Sequence, residues 1–478
     1  MSYQVPQHID KNKVFIVNRS EIEGRLDPKM ALYNRKVQNW SYPKARLKDL
    51  LLSKPQYGAA ESGINRTDIK SPRYIRITDI DEYGLISHND LGVTANTIED
   101  QYILHDYDLL IARSGATVGK AYIHKGCPYT CFFAGYLIRF VINPLKAMPD
   151  YVFAFTQTNI YKEWVNAIQR PSGQPNINAE EYQSLELPLP PQNIQNEIVS
   201  IIQTAYSKKQ RKEFEAQQLL DSIDTYLLDE LGITLPNSKN GLKDRIFIVK
   251  RNSLEERIDP LYYYAEIERF THCTYSERLS NLLFSLENGF AVGRQNQVEE
   301  DNGIIQIRPT NIDNNGRLKY DKNVYVPELE NVPFVESGAV LFNNTNSQEW
   351  VGKTAFFAND DNRKVYTSNH ITSITVDRSK ILPEYLCAIL NMNQRHKVFY
   401  SICTNWNNQS GIGLDLLKSL HIPLFTNDRQ ESLRRQQQIV DKINSIYREA
   451  DECILSANRI MSDAKNKVEA MILGNQGR

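Results

Sequence analysis

Toward the end of the chain, apolar residues recur at a helical interval for much longer than an ordinary surface helix needs. Ile439, Ile446, Cys453 and Ile460 lie seven apart, and Ile443, Ala450, Ala457 and Ala464 interleave at the same interval. An a/d pattern held over about four heptads predicts a long helix with a seam for a partner helix. Alanine at one set of seam positions lets that partner approach closely. An earlier segment keeps the same phase less regularly: Ile194, Ile198, Ile201 and Ala205, then the polar stretch SKKQRKE (207–213), then Leu219 or Leu220, Ile223 and Leu227. Some 40 residues at 1.5 Å each span roughly 60 Å, against a mean helix of about 11–12 residues. That length favours the two helices pairing with each other over each lying flat on its own domain. The expected partner-helix seam is Ile198, Ile201, Ala205 and Ile223 against Ile439, Ile443, Ile446, Ala450, Ala457 and Ile460.

Elsewhere the apolar runs are short and end in polar turns, as strands do. DYDLLIARSG (106–115) leads through a turn to AYIH (121–124), and ESGAVLFNNTN (336–346) leads to AFFA (355–358). These segments belong to a longer repetition. VFIVNRSEIEGRLDP (14–28) returns as IFIVKRNSLEERIDP (246–260), and IRITDIDEYG (75–84) as IRPTNIDNNG (307–316). VGK (118–120) returns at 351–353, PDYV (149–152) as PEYL (383–386), SLELPL (184–189) as SLHIPL (419–424), and QNEIVSIIQTAY (195–206) as QQQIVDKINSIY (436–447). Six matches in unchanged order describe a duplicated domain, each copy followed by its helix; the period is far too long for a solenoid. The expected division is 1–189, 190–232, 233–424 and 425–478, alternating domain and helix. If each domain sits near the start of its own helix, at opposite ends of the pair, the helices run antiparallel and the single chain acquires a rough two-fold axis. The fold class is α+β: two similar mixed α/β domains separated by an antiparallel coiled coil.

Composition narrows the chemistry. With 56 basic and 57 acidic residues the net charge is −1, so charge alone gives no sign of a nucleic-acid partner. The six cysteines form no CxxC pair and complete no zinc site, which fits reduced thiols in a cytoplasmic protein. MSYQVPQHIDKNK has no apolar signal core. No run of about 18 apolar residues predicts a membrane span.

ARSGATVGKA (112–121) resembles a phosphate-binding loop, but neither copy meets its rule. G-x-x-x-x-G-K-[ST] needs four residues between the glycines. The first copy has three, with Ala121 in the hydroxyl position, and the second has Ser347 in place of the first glycine. The expected role is a strand–turn–strand that displays side chains able to read base edges, Arg for guanine and Asn or Gln for adenine. The candidates are Arg113, Ser114, Thr117 and Lys120 in one copy and Asn343, Asn344, Thr345, Asn346 and Lys353 in the other. A second polar loop precedes each helix, QRPSGQPNIN (169–178) and NWNNQSGIG (405–413). It offers Arg170, Gln174 and Asn176, and Asn407, Asn408 and Gln409. The IRITD/IRPTN repeat adds Arg76, Thr78, Arg308 and Thr310. Polar turns are also simply what loops are made of. The two copies agree in scaffold and differ in these loops, as one framework reading two targets would.

RLDP/RIDP, the VGK turns, SLELPLP/SLHIPLF and the trailing helices, duplicated in order, resemble the DNA-specificity subunits of type I restriction-modification enzymes. The resemblance covers nearly the whole chain. It implies that each domain is a target-recognition domain reading one half of a split, asymmetric site on double-stranded DNA. It implies that the antiparallel helices fix the gap between half-sites and dock two methyltransferase subunits, which hold S-adenosylmethionine, and that restriction (translocase) subunits join that core. It also implies that this chain performs no chemistry and binds no cofactor or metal of its own. In keeping with this, Asp-Pro-Pro-Tyr and Asn-Pro-Pro-Tyr signatures are absent, IDPLYY (258–263) has one proline, and no Asp…Glu-x-Lys nuclease set stands out. Two other readings stay open at this point: an adaptor whose domains grip two protein partners, and an enzyme whose site is formed only in space.

Overall fold

Leu109, Leu110, Ile111 and Ala112 are consecutive and all buried. Successive strand side chains point to opposite faces, so an unbroken apolar run of this kind belongs to a strand covered on both sides. The computed structural model shows this. Leu109 and Ile111 join a core with Phe155, Tyr161 and Trp164. Leu110 and Ala112 join another with Ile75, Cys131 and Phe133. The counterpart in the second copy behaves alike: Val340 and Phe342 face one core, Ala339 and Leu341 the other. The structure describes residues 14, 16–17, 28–37, 40–86, 91–169, 175–233, 246, 248–251, 254, 258, 260, 263, 275–359, 361–407 and 409–474. Most of the repeated segment at 14–28 and about half of that at 246–260 fall outside these, as do Arg170, Gln174 and Asn408.

The chain divides into two compact units, residues 1–213 with 455–478, and residues 214–454. In the first, a four-stranded antiparallel sheet runs in the order Gln56–Tyr57, Leu137–Val141, Asp108–Ala112, Ala121–Ile123. In the second, the same order is built from Leu283–Asn288, Ile371–Val376, Ala339–Asn343 and Thr354–Phe357. One face of each sheet carries a short parallel pairing, Arg73–Ile75 with Cys131–Phe133 and Ile304–Ile307 with Val365–Thr367. The other carries helices, Pro149–Thr156 and Asn159–Ile168 in one unit, Pro383–Arg395 and Val398–Ile402 in the other. Each copy closes with an antiparallel strand pair, Lys44–Arg46 with Glu186–Pro188 and Tyr275–Arg278 with His421–Leu424.

The repeated residues do matching work. Tyr151 and Tyr385 donate their hydroxyls to the Pro188 and Pro423 carbonyls. Gln195 and Gln436, both buried, accept the Met148 and Leu382 amides at 3.0 and 2.9 Å. One tyrosine and one glutamine per copy thereby fasten the closing strand and the start of the long helix to the domain.

The long helices are Gln192–Leu231 and Arg429–Ile472, of 40 and 44 residues. In the first unit, the start of one shares a core with the end of the other: Ile198 and Val199 with Val468, Met471 and Ile472, and Ala205 against Met461 and Ala464. In the second unit, Ile223, Leu227 and Leu231 share a core with Ile439, Val440, Ile443 and Ile446. Each unit therefore holds an antiparallel stretch of the pair. The predicted seam residues Ile198, Ala205, Ile223, Ile439, Ile443, Ile446, Ala450 and Ala457 are buried, while Ile201 and Ile460 are partly buried.

Two expectations about the helices change. One seam series keeps the heptad: Ile443, Ala450, Ala457 and Ala464 are buried, and Met471 continues them. The other does not. After Ile446, Cys453 and Ile460 are only partly buried, and Ala457 and Val468, each eleven residues on from the one before, and Met461, eleven on from Ala450, join the buried stripe. Eleven residues over three turns is 3.67 per turn, closer to a relaxed helix than 3.5. The stretch at 207–213 does not interrupt the first helix either. Lys209 turns inward, 7 % exposed, with its ammonium on Glu213 and 4.6 Å from the centre of the Tyr83 ring.

Candidate nucleic-acid interface

The turn from Asp108–Ala112 to the edge strand Ala121–Ile123 contains Gly115 and Gly119 with φ of 87° and 86°, and its counterpart contains Gly352 with φ of 91°. These left-handed values favour glycine. The inner glycine is also a packing position. A methyl group on Gly119 would lie 2.7 Å from Val165, and one on Gly352 would lie 2.1 Å from Phe399, the matching residue of the following helix in each copy. The turn does not offer its amides to a phosphate. Val118, Gly119 and Lys120 donate to the carbonyls of Gly115, Ala112 and Thr117. An anion nest requires such N–H groups to be free, so the geometry agrees with the sequence rule that set aside a nucleotide loop.

The VGK lysines are committed to the fold. Lys120 donates to the Ile80 carbonyl and Lys353 to the Ile312 carbonyl, the equivalent position. Burial lowers the Lys353 pKa, an effect Asp313 partly offsets. The expectation that these ammoniums face DNA gives way to a brace between two turns. The braced turn is the IDEYG/IDNNG motif. Asp81 Oδ1 accepts the amides of Tyr83 and Leu85, and Asp313 Oδ1 those of Asn315 and Arg317. This turn docks on the long helices. In the first unit, Lys209 and Lys465 lie 4.6 and 4.7 Å from the centre of the Tyr83 ring. Burial, then Glu82, pushes that phenol up to about 12. In the second unit, Arg317 makes paired bonds of 2.7 and 2.8 Å to Asp451, and Tyr447 donates to the Asn315 carbonyl at 2.9 Å.

Arg76 and Arg308 begin this motif and are half-buried. Arg76 pairs with Asp79, and Arg308 donates to Gln306. Thr78 and Thr310 are exposed beside them.

Two loops that are far apart in sequence meet in each copy. Ser114 bridges Asn176, and Ile177 donates to the Arg113 carbonyl at 2.8 Å. In the second copy the same contact widens into a three-stranded sheet, with Thr345–Asn346 paired to Gln409–Gly411 and that strand to Thr404–Trp406. Ile412 donates to the Asn344 carbonyl at 2.9 Å, the counterpart of the Ile177 bond. Each unit therefore carries one composite tip.

Not every candidate faces outward there. Thr117, Asn176, Asn407 and Gln409 are exposed, and Thr345 and Asn346 are half-buried. Asn343 and Asn344 are 0 % and 5 % exposed, contrary to expectation. Asn343 donates to the Trp350 carbonyl, and Asn344 to Asn288, Asn369 and Thr372. They lie where the buried strand ends, and they hold the turn in place. Ser114 is likewise buried. Arg113 is half-buried with its guanidinium 4.9 Å from the centre of the Tyr57 ring.

Sequence reasoning overlooked the aromatic members of the tips: Tyr57 and Tyr136 in the first copy, Trp350 and Trp406 in the second, all exposed. Tyr136 accepts the Arg113 amide through its carbonyl at 2.9 Å. The available signal was a large aromatic residue inside an otherwise polar loop. Among the described residues no group of three or more His, Cys, Asp or Glu is placed to hold a metal ion. Cys127 and Cys131 are free thiols with their sulfurs 3.0 Å apart. No described helix is long and apolar enough to cross a membrane.

Comparisons with known proteins point one way. Residues 74–220 match the family model for the type I restriction modification DNA specificity domain. A protein of Methanocaldococcus jannaschii named "Putative type I restriction enzyme MjaX specificity subunit" is 25% identical over 161 residues, which is 33% of this chain and 37% of that protein. The match thus spans little more than a third of that relative's length. A chain from a solved structure concerned with complex assembly and conformational transition of the type I R-M system aligns over 91% of this chain and 98% of its own. Its TM-score is 0.51 at 12% identity, a likeness of fold.

Proposed function

We propose that this chain is a specificity subunit of a type I restriction-modification system and the non-catalytic reader of a two-part DNA site. Each unit reads one half of an asymmetric sequence on duplex DNA. The long helices set the spacing between the halves and dock two methyltransferase subunits, and restriction subunits join that assembly in the cytoplasm. S-adenosylmethionine stays on the methyltransferase partners. The observation that carries this reading is the pair of composite tips. Both rest on the same strand bridge, glycine turn and lysine brace, and they differ in the side chains they expose: Thr117 and Asn176 against Asn407 and Gln409, with Arg113 and Asn346 half-buried beside them. Base contacts specify while the frame positions, so a shared frame with divergent tips suits two different half-sites. A helix of about 60 Å is long enough to span one turn of DNA, ~34 Å, and leave ends for docking. The test is to exchange residues 1–189 for the matching domain of a relative and map methylated adenines in cells. One half of the modified site is expected to change and the other to persist. Change in both halves, or in neither, rejects two independent readers.

A further inference from the structure

The hairpin of the second tip has a sidedness that narrows what it reads. Trp406 pairs with Gln409, and Thr404 with Gly411, so these four share one face; Asn405 and Ser410 pair on the other. On that face Ser410 is buried and its hydroxyl donates to Asn405 Oδ1, while Asn405 itself is exposed, so only the Ser410 strand turns this face inward. On the outer face Thr404 and Gln409 are exposed and Trp406 is 45 % exposed. Asn407 follows at the turn with φ 40°, also exposed. The amides of Asn407 and Gln409 are hydrogen-bonded to no described residue, unlike those of Asn343 and Asn344.

The tryptophan reaches a glycine of the neighbouring strand. A methyl group on Gly411 would sit 2.3 Å from Trp406 Cη2 and 3.1 Å from Cζ3, so the outer edge of the indole rests where that side chain would be. Its outer side remains as an apolar platform beside Gln409. Between Thr404 and Gly411 the sequence TNWNNQSG has no charged residue. The hairpin therefore has no guanidinium for the two acceptors of guanine and no ammonium for phosphate. It has amides, which match the donor and acceptor of adenine in the major groove, and an apolar surface, which matches the thymine methyl. The major groove admits a two-stranded β-ribbon.

We propose that the second unit lays the hairpin Thr404–Gly411 in the major groove and reads an A·T pair there. Gln409 and Asn407 supply the amide that pairs with adenine, and Trp406 packs on the thymine methyl. This rests on the DNA-reading function proposed above. It adds the mode of entry and the class of base pair.

The experiment uses the full chain assembled with its methyltransferase subunits. Wild type and the variants Gln409→Ala, Trp406→Ala and Trp406→Phe are compared by mapping methylated sites and by binding to duplexes altered one pair at a time. Gln409→Ala is expected to relax discrimination at one A·T position of one half-site, about tenfold to a hundredfold, and leave the other half intact. Replacing that thymine by uracil removes only the methyl. It is expected to weaken wild type and Trp406→Phe and to leave Trp406→Ala unchanged. Full specificity in the variants, or relaxation at a G·C position, overturns the hairpin assignment and leaves two-part recognition standing. If the wild-type complex shows no sequence preference at all, the recognition function itself fails. Should Trp406→Ala not fold, the uracil duplex with wild type and Trp406→Phe still decides.

Discussion

A methyl group at position 119 has nowhere to go. It would meet Val165 and would force a non-glycine residue to φ 86°. Gly115, four residues earlier, has a similar φ of 87° but open space around it. Gly115→Ala is expected to cost only the backbone strain, about 1 kcal/mol, and Gly119→Ala that strain plus overpacking, about 2–4 kcal/mol in all. Thermal melts should separate them, since each kcal/mol moves Tm by roughly 2–4 °C in a domain of this size. Equal losses would mean that the contact with the helix is not what selects glycine at 119. Sequence showed that VGK recurs and is not a phosphate loop. It did not show that its lysine braces a neighbouring turn. Which way Lys353, Asn343 or Asn344 points depends on strands brought together from distant parts of the chain, and no local pattern encodes that.

The long helices were legible because a period near seven survives one substitution or another over 40 residues. The replacement of Cys453 and Ile460 by Met461 and Val468 in one of the two seam series was not, because heptad and eleven-residue spacings share their first few positions. Lys209 misled for a related reason: a lysine at a seam position reads as a break until Tyr83 and Glu213 are placed around it. The helix also grips the second domain through Asp224. Its carboxylate accepts from Arg395 at Nε and Nη2 and lies 3.4 Å from His396. Burial opposes its ionisation, but Arg395 and His396 outweigh that and hold its pKa below the ordinary carboxylate value. A depressed folded-state pKa gives stability that is present above the unfolded value, about 3.9, and is lost as pH falls through the folded one. Asp224→Asn is therefore expected to destabilise the protein by about 1–3 kcal/mol at pH 5–6, with the gap to wild type shrinking below about pH 4. Urea melts across that range check the sign, and a gap that widens below pH 4 would contradict it.

At the scale of the whole molecule, a net charge of −1 sets a limit on affinity. Each phosphate neutralised adds about −0.9 to the slope of log K against log salt. Several of the cations proposed to meet DNA are instead spent inside the fold: Lys120 and Lys353 on carbonyls, and Arg76 on Asp79. Binding by the lone chain is expected to show a shallow salt slope, and binding by the complex with methyltransferase subunits a steeper one. Titrations between about 50 and 200 mM salt distinguish the two. Identical slopes would place all phosphate contacts on this chain.

The sequence alone determined the duplication, the two long helices, most of their seam and the polar loops that form the tips. Periodicity and repetition are one-dimensional signals, and a single chain carries both in full. Only the tertiary structure decided that two distant loops join into one tip in each unit, and that Asn343, Asn344, Lys120 and Lys353 serve the frame. It alone brought Trp350, Trp406, Tyr57 and Tyr136 to the surface. Whether a polar side chain faces water or the protein depends on which neighbour takes its hydrogen bond, and those neighbours lie up to scores of residues away along the chain.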